Sequence, residues 1–168
     1  TTAAVLRGTA ESDDLAAEAP ASLEGITVAE PTGEEVLIEI EAASLCHTDV
    51  AIARGELTRP RPIVMGHEGA GTVRAVGEDV TSVEPGDSVV CGRTTCGRCG
   101  HCRAGEGQHC VERSPAHSEG RLRTGAVRFA DDEGPIHHTN SVASFTEHTV
   151  VTEEVAIPVP EALPAERA

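Results

Sequence analysis

The sequence predicts a mainly β fold, with short strands arranged as a barrel or a sandwich. Eighteen of the 168 residues are valine, and β-branched residues are favoured in strands. Residues 35–42 alternate, placing Val36, Ile38 and Ile40 on one face and two glutamates on the other. Turn residues such as Pro85-Gly86 separate the short apolar runs. Many short strands divided by turns are typical of an all-β domain.

The remaining elements follow from the same patterns along the chain. An acidic, Ala-rich connection separates the first two expected strands, and Thr48 is expected to cap a short helix through about Arg54. Residues 114–141 are predicted to form a long polar excursion, and Leu163–Glu166 resembles the first turn of a helix. Further strands are expected at 3–7, 26–29, 63–64, 71–77, 88–91, 126–129, 135–138 and, in two pieces, 144–157.

The charge balance excludes some classes of partner. The formal net charge is −15, and all thirteen basic residues are arginine. Such a surface disfavours nucleic acid and anionic membranes as partners. The dense carboxylates suggest adaptation to high salt. No segment approaches the ~18 apolar residues that would span a bilayer, and the N-terminus lacks a signal pattern, so we expect a cytoplasmic protein.

A cysteine lobe at about residues 93–113 is the most specific feature of the sequence. Its spacing is Cys-x2-Cys-x2-Cys-x7-Cys, and no Val, Ile, Leu, Met or Phe lies between Arg93 and Cys110. A loop with nothing apolar to bury needs another source of stability, and structural zinc supplies on the order of 10 kcal/mol. A disulfide-linked loop and an iron–sulfur cluster are the alternatives. The four predicted ligands of a closed, structural zinc are Cys96, Cys99, Cys102 and Cys110.

A second metal site is predicted from residues far apart in sequence. Taken singly, Cys46 and His67 are expected to be ordinary buried residues. Their neighbours change that expectation: Asp49 can accept a hydrogen bond from the imidazole, Glu68 adds a carboxylate, and Thr48 supplies a hydroxyl that can pass a proton. Together these residues predict a zinc site with chemistry in it.

These motifs resemble a known family. The run Cys46-His47-Thr48-Asp49 is followed by Gly66-His67-Glu68-x-x-Gly71-x5-Gly77-x2-Val80 and then by the cysteine lobe. This succession resembles the N-terminal half of a zinc-dependent medium-chain alcohol dehydrogenase. The later run Ser144-Phe145-Thr146-Glu147-His148-Thr149-Val150-Val151 is similar to the Ser-Phe-x-Glu-Tyr-x-Val-Val stretch of the branch that includes class III, glutathione-dependent formaldehyde dehydrogenases.

The resemblance implies a fold and a set of roles. The fold would be the family's GroES-like, partly open β-barrel with a zinc-binding cysteine lobe and short helices. Cys46 and His67 would be two of three protein ligands of a catalytic zinc. Thr48 would relay the alcohol proton, Glu68 would lie behind the zinc, and His47 would face the coenzyme pyrophosphate. Zinc would polarise the alcohol oxygen so that a hydride can pass to NAD.

Departures from the family pattern limit the expected activity. The third catalytic ligand and the Rossmann coenzyme domain follow later in the family, and no Gly-x-Gly-x-x-Gly turn occurs here. We therefore expect residues 1–157 to form the GroES-like domain and 158–168 to begin the connection to a missing coenzyme domain. Ala51 stands where a histidine often extends the proton relay. The isolated chain is expected to be inactive, with NAD bound only when the missing domain is present.

Alternatives remain open from the sequence. One is a non-enzymatic, zinc-stabilised β-barrel that serves as a binding or assembly module; another is one half of a split dehydrogenase. The expected partners are a small alcohol or aldehyde and either a second copy or a separate coenzyme-domain chain. Cys91 is expected to be a buried core thiol, and His117, His137 and His138 to be exposed loop histidines.

Overall fold

Two β-sheets make up the domain, as the strand pattern predicts. The computed structural model describes residues 1–10 and 14–168. A six-stranded sheet has the order β2-β1-β5-β9-β8-β3, with strands at Thr2–Leu6 (β1), Ala21–Gly25 (β2), Thr27–Val28 (β3), Ile63–Val64 (β5), Phe129–Asp131 (β8) and Gly134–His138 (β9). A five-stranded sheet has the order β10-β4-β6-β7-β11, with strands at Glu35–Ser44 (β4), Glu68–Val76 (β6), Ser88–Cys91 (β7), His148–Thr152 (β10) and Ala156–Pro158 (β11).

The five-stranded sheet contains the alternating segment. β4 and β6 pair antiparallel along most of their length, and a register shift lies between Ile40 and Ala42. Val36 and Ile38 are fully buried, where they pack with Val73 and Val151 in one apolar cluster. The alternation predicted for residues 35–42 is therefore confirmed, and valine supplies most of this core.

The helices of the domain are short. The α-helices are Leu15–Glu18 (α1), His47–Ala53 (α2), Gly100–Arg103 (α3) and Arg113–Ser118 (α4), with 3-10 turns at Gly107–His109, Thr139–Ser141, Glu153–Val155 and Ala165–Arg167. α2 packs through Ile52 against Leu6, Ile63 and Met65 of the six-stranded sheet. No described helix has the length and apolar character needed to cross a membrane.

The start of α2 differs from the prediction. Cys46, not Thr48, occupies the N-cap position with extended backbone angles, and the Asp49 carboxylate accepts the Cys46 N–H at 3.0 Å. An acidic residue at the third helical position satisfies this otherwise unpaired donor. The helix ends before Gly55, whose φ of +76° belongs to the left-handed region. The capping therefore brings Cys46 and Asp49 together at one helix end.

Two segments expected to be irregular are ordered. The Ala-rich connection contains α1 and β2, apart from its residues 11–13, which lie outside the described residues. β2 pairs only with β1, and Leu23 is 79% exposed, so its sequence carries no buried apolar face. The polar excursion contains α4, which buries only Ala116. Neither element has the apolar periodicity on which the prediction depended.

The prediction of exposed loop histidines is wrong. His138 is fully buried at the end of β9. The centroid of its ring lies 4.5 Å from that of Phe129, and its Nε2 accepts a hydrogen bond from the Arg128 N–H. Burial lowers the pKa of His138 to about 3, so the ring is neutral. His137 is half-buried on β9, and His117 is half-buried on α4.

Candidate metal centres and the adjoining cavity

Asp49 links the start of α2 to the loop between β5 and β6. It is 1% exposed, and its Oδ2 accepts the Cys46 N–H at 3.0 Å. Its Oδ1 accepts the Gly66 N–H at 3.2 Å and lies 3.3 Å from His67 Nδ1. A single buried carboxylate therefore positions both Cys46 and His67, although 21 residues separate them in sequence.

Cys46, His67 and Glu68 form a candidate metal group. One ligand atom from each lies within 4.8 Å of the others. Hydrogen bonds from the Thr48 backbone and hydroxyl, and from His67, lower the pKa of the Cys46 thiol. The hydrogen bond to Asp49 raises the pKa of His67 and directs Nε2 away from the carboxylate. The sulfur of Cys46 and the nitrogen of His67 are donors that fit zinc, and Glu68 places a carboxylate beside them.

Two glycines allow this loop to lie where it does. Gly66 has a φ of +85°, and a Cβ there would lie 2.5 Å from the Phe145 ring and 2.6 Å from Ser144 Oγ. A Cβ on Gly71 would lie 1.9 Å from the carbonyl oxygen of Glu39. His67 is thus held between a tight turn on one side and the close β4–β6 pairing on the other.

The four cysteines of the lobe converge as a second candidate metal group. Their sulfur atoms all lie within 4.8 Å of one another, and Cys96 Sγ is 4.0 Å from Cys102 Sγ. Tetrahedral zinc with bonds of about 2.3 Å places its sulfurs about 3.8 Å apart, so the group fits zinc. All four are free thiols, so the disulfide alternative does not describe this structure. Backbone N–H groups of Cys102 and Val111 lower the pKa of Cys99 to about 6.

Ion pairs attach the lobe to the barrel. The Arg123 side chain is 8% exposed; its Nε lies 3.1 Å from Glu154, and it also contacts Glu34. Its Nη1 lies 3.8 Å from Glu112, which in turn accepts a 2.7 Å hydrogen bond from Arg98 of the lobe. This network therefore connects Glu112 and Arg98 of the lobe with Glu34 and Glu154 of the barrel through Arg123.

A cavity of about 440 Å³ adjoins the first metal group. Cys46, Thr48, His67 and Glu68 line it together with Cys91 and a set of polar residues from the lobe and the excursion, namely Arg93, Thr94, Arg113, His117 and Asn140. Its volume lies within the range of small-molecule sites.

Three polar residues of the cavity lining, Arg113, His117 and Asn140, were not predicted to belong to a site. Arg113 and His117 lie on α4, and Asn140 lies in a left-handed turn with a φ of 50°. Burial, with Arg113 as the next cause, lowers the pKa of His117 to about 4. No motif or spacing marked these residues, because the fold alone brings them to Cys46.

The other predicted residues are also located. Thr48 Oγ1 lies 3.7 Å from Cys46 Sγ, while His47 is exposed at the first residue of α2, outside the cavity lining. Cys91 packs against the core of the five-stranded sheet, and burial raises the pKa of its thiol to about 12. Among the described residues it belongs to neither candidate metal group.

Comparison with known proteins decides the family. Residues 32–161 match the model of the alcohol dehydrogenase GroES-like domain. The chain belongs to this family. The geraniol dehydrogenase of Castellaniella defragrans is 39% identical over 151 residues, which cover 88% of the chain and 40% of the relative.

Solved structures confirm the GroES-like, partly open barrel. An alcohol dehydrogenase zinc-binding domain protein from Burkholderia ambifaria superposes with a TM-score of 0.87 at 36% identity, over 98% of this chain and 43% of its own. The benzyl alcohol dehydrogenase of Acinetobacter calcoaceticus gives 0.80 at 28% identity, over 98% and 42%. The GroES-like domain described here thus spans about two fifths of these relatives. The cysteine group and the dehydrogenase relatives agree with zinc as its metal.

Proposed function

We propose that this chain is the zinc-binding catalytic domain of an NAD-dependent alcohol dehydrogenase, which interconverts alcohols and aldehydes or ketones by hydride transfer. The observation that carries the proposal is the group of Cys46, His67 and Glu68, which Asp49 holds at the wall of a cavity. A purely structural domain has no need of an open, mixed-ligand group beside a cavity. The dehydrogenase relatives support the same reaction class.

Each residue of the group has a proposed task. Cys46 and His67 hold a catalytic zinc, with Glu68 beside it, and the four lobe cysteines hold a structural zinc. A bound zinc supplies a Lewis acid that lowers the pKa of an alcohol hydroxyl. Thr48 accepts the alcohol proton at its hydroxyl and passes it towards solvent. Asp49 fixes the ring and tautomer of His67, so that Nε2 is the nitrogen available to the metal.

The hydride acceptor is proposed to be NAD, bound with a coenzyme domain. The relatives extend well beyond the length that this chain covers, and His47 is exposed where a phosphate group could reach it. We propose that residues 1–157 are the GroES-like unit and that 158–168 lead towards that domain. In this proposal residues 1–168 do not turn over without a coenzyme domain, and an assay in which they formed NADH from an alcohol would contradict it.

Metal stoichiometry tests the catalytic assignment. Cobalt(II) replaces zinc and reports its ligands by visible absorption, so titration of the chain should show an all-sulfur site and a second, mixed sulfur–nitrogen site. His67→Ala should abolish the second site and leave the first. His47→Ala, the matched control one residue from Cys46, should retain both. A single all-sulfur site in the wild-type chain would favour the alternative of a non-enzymatic, zinc-stabilised module.

A further inference from the structure

The cavity is cationic in a strongly acidic protein. The chain carries a formal net charge of −15, yet Arg93 and Arg113 line the cavity with His117. Glu68 is the one carboxylate among the described residues that line it, and it belongs to the candidate metal group. A concave, positively charged wall concentrates anions. Its position beside the metal group makes the charge relevant to what the cavity binds.

The two arginines are not taken up by ion pairs. Elsewhere in the described structure, arginines such as Arg74, Arg98 and Arg123 each contact a glutamate. Neither Arg93 nor Arg113 has a carboxylate within ion-pair distance in the described part of the chain. Glu112, which precedes Arg113 in the sequence, pairs with Arg98 and Arg123 instead. Some described arginines outside the cavity lining, such as Arg103, likewise lack a carboxylate partner, so the distinguishing feature is that two such guanidinium groups line one cavity.

Buried polar atoms around the same cavity also lack partners. Thr94, which is 1% exposed, has no hydrogen-bond partner for its Oγ1, and neither does Nε2 of His117. Arg59, whose Nη2 lies 3.5 Å from Oδ1 of the cavity residue Asn140, has a buried Nε without a hydrogen-bond partner. Buried polar groups are nearly always hydrogen-bonded in proteins, so these unpartnered atoms leave hydrogen-bonding capacity at the cavity for water or a polar ligand.

We propose that the cavity accepts an alcohol or aldehyde that also carries a carboxylate, with Arg93 and Arg113 binding the carboxylate and the hydroxyl directed to the metal group. The inference rests on the proposed function, because it places the reacting end of the substrate at Cys46 and His67. Guanidinium groups form paired hydrogen bonds with carboxylates, and Thr94 and His117 add uncharged donors. The substrate would thus differ from the neutral alcohols for which two relatives are named.

Binding to the 168-residue chain tests the proposal without turnover. The probes are 4-(hydroxymethyl)benzoate and its methyl ester, which have the same hydroxyl end and differ in charge. Isothermal titration should show the carboxylate binding at least about tenfold more tightly than the ester, a difference typical of one charge-assisted contact. Arg113→Gln and Arg93→Gln should each reduce this preference several-fold. Arg167→Gln, an exposed and unpaired arginine outside the cavity lining with the same change in net charge, should retain it.

The outcomes separate this inference from the proposed function. Equal affinities for acid and ester, or a preference that survives both arginine substitutions, would overturn the carboxylate assignment. Inorganic phosphate that binds the wall more tightly than the carboxylate would overturn it as well. In His67→Ala, the preference for the carboxylate should persist although the mixed-ligand cobalt site is lost. A wild-type chain with that preference but without the mixed-ligand site would support the cationic wall and refute the catalytic zinc.

Discussion

The two candidate metal centres are built in opposite ways. The lobe takes all its ligands from 15 consecutive residues, Cys96–Cys110, and among the residues from 93 to 110 it has no large aliphatic side chain to pack. The other centre takes Cys46 from the start of α2 and His67 from the loop before β6, and Asp49 connects them. One centre organises its own backbone, whereas the other depends on a barrel that is already folded. We therefore expect metal removal to unfold the lobe, and changes in the barrel to weaken metal binding at the Cys46 centre.

Removal of the lobe metal should have the largest effect. Structural zinc contributes on the order of 10 kcal/mol to units of this kind, so chelation or Cys99→Ser should unfold the lobe while the barrel persists. Trypsin reports this directly, because Arg98 and Arg103 lie between the cysteines. Cleavage after these arginines should become rapid, while the bond after Arg74 in β6 stays resistant. Slow cleavage of the metal-free lobe would show that it holds its structure by other contacts.

A methyl group added in the barrel should disturb the Cys46 centre and leave the lobe intact. In Gly71→Ala the new Cβ would meet the Glu39 carbonyl oxygen at 1.9 Å, so β4 and β6 must separate. We expect a loss of about 3 kcal/mol in the free energy of unfolding, at the upper end for overpacking. The mixed-ligand cobalt site should weaken strongly, while the all-sulfur site remains.

Gly25→Ala is the matched control for this barrel substitution. Its Cβ would have no atom within 4 Å, and its φ is not positive. Urea denaturation should place it within about 0.5 kcal/mol of the wild type, as for most surface changes. If Gly71→Ala behaved the same way, the β4–β6 pairing would not be what positions His67.

The same contrast explains what the sequence could predict. The convergence of the four lobe cysteines was predicted because they lie within 15 residues and their spacing is specific to metal sites. The alternation in residues 35–42 predicted β4, since burial on one face leaves a period of two. The pairing of Cys46 with His67 needed the resemblance to a family as well as the residues. A contact between two distant segments produces no repeating pattern of apolar residues from which it could be predicted.

Some residues were not predicted because tertiary contacts, and no local pattern, place them. Arg113 and His117 come to the cavity on α4, a helix that buries only Ala116 and so has no apolar stripe. His138 is buried by the parallel pairing of β5 with β9, and nothing in the polar residues around it indicates that. Prediction from one sequence therefore fails where polar segments are ordered by tertiary contacts.

Asp49→Asn should weaken metal binding at the Cys46 centre alone. The amide would keep the size of the side chain but lose the charge that orients His67 and raises its pKa. Substitutions of such outer ligand partners reduce metal affinity about 10- to 100-fold. Competition with a chromophoric chelator should therefore show a weaker mixed-ligand site and an unchanged all-sulfur site. Equal affinities at the mixed-ligand site in both proteins would remove Asp49 from its proposed role.

Arg123→Gln should have the smallest effect, because it acts on the connection between the two parts. The substitution leaves Glu34 and Glu154 without their guanidinium partner and removes the longer of the two arginine contacts of Glu112. Breaking a buried ion pair costs about 3–5 kcal/mol, but the carboxylates here are partly exposed, so we expect ~1–2 kcal/mol. Arg98→Gln, which removes an exposed pair with Glu112, should cost less than about 1 kcal/mol. In Arg123→Gln, the free energy of metal binding at the lobe should stay unchanged. A loss there as large as the loss in the free energy of unfolding would show that the two centres are coupled, and the lobe would then not be the self-contained unit that its sequence indicates.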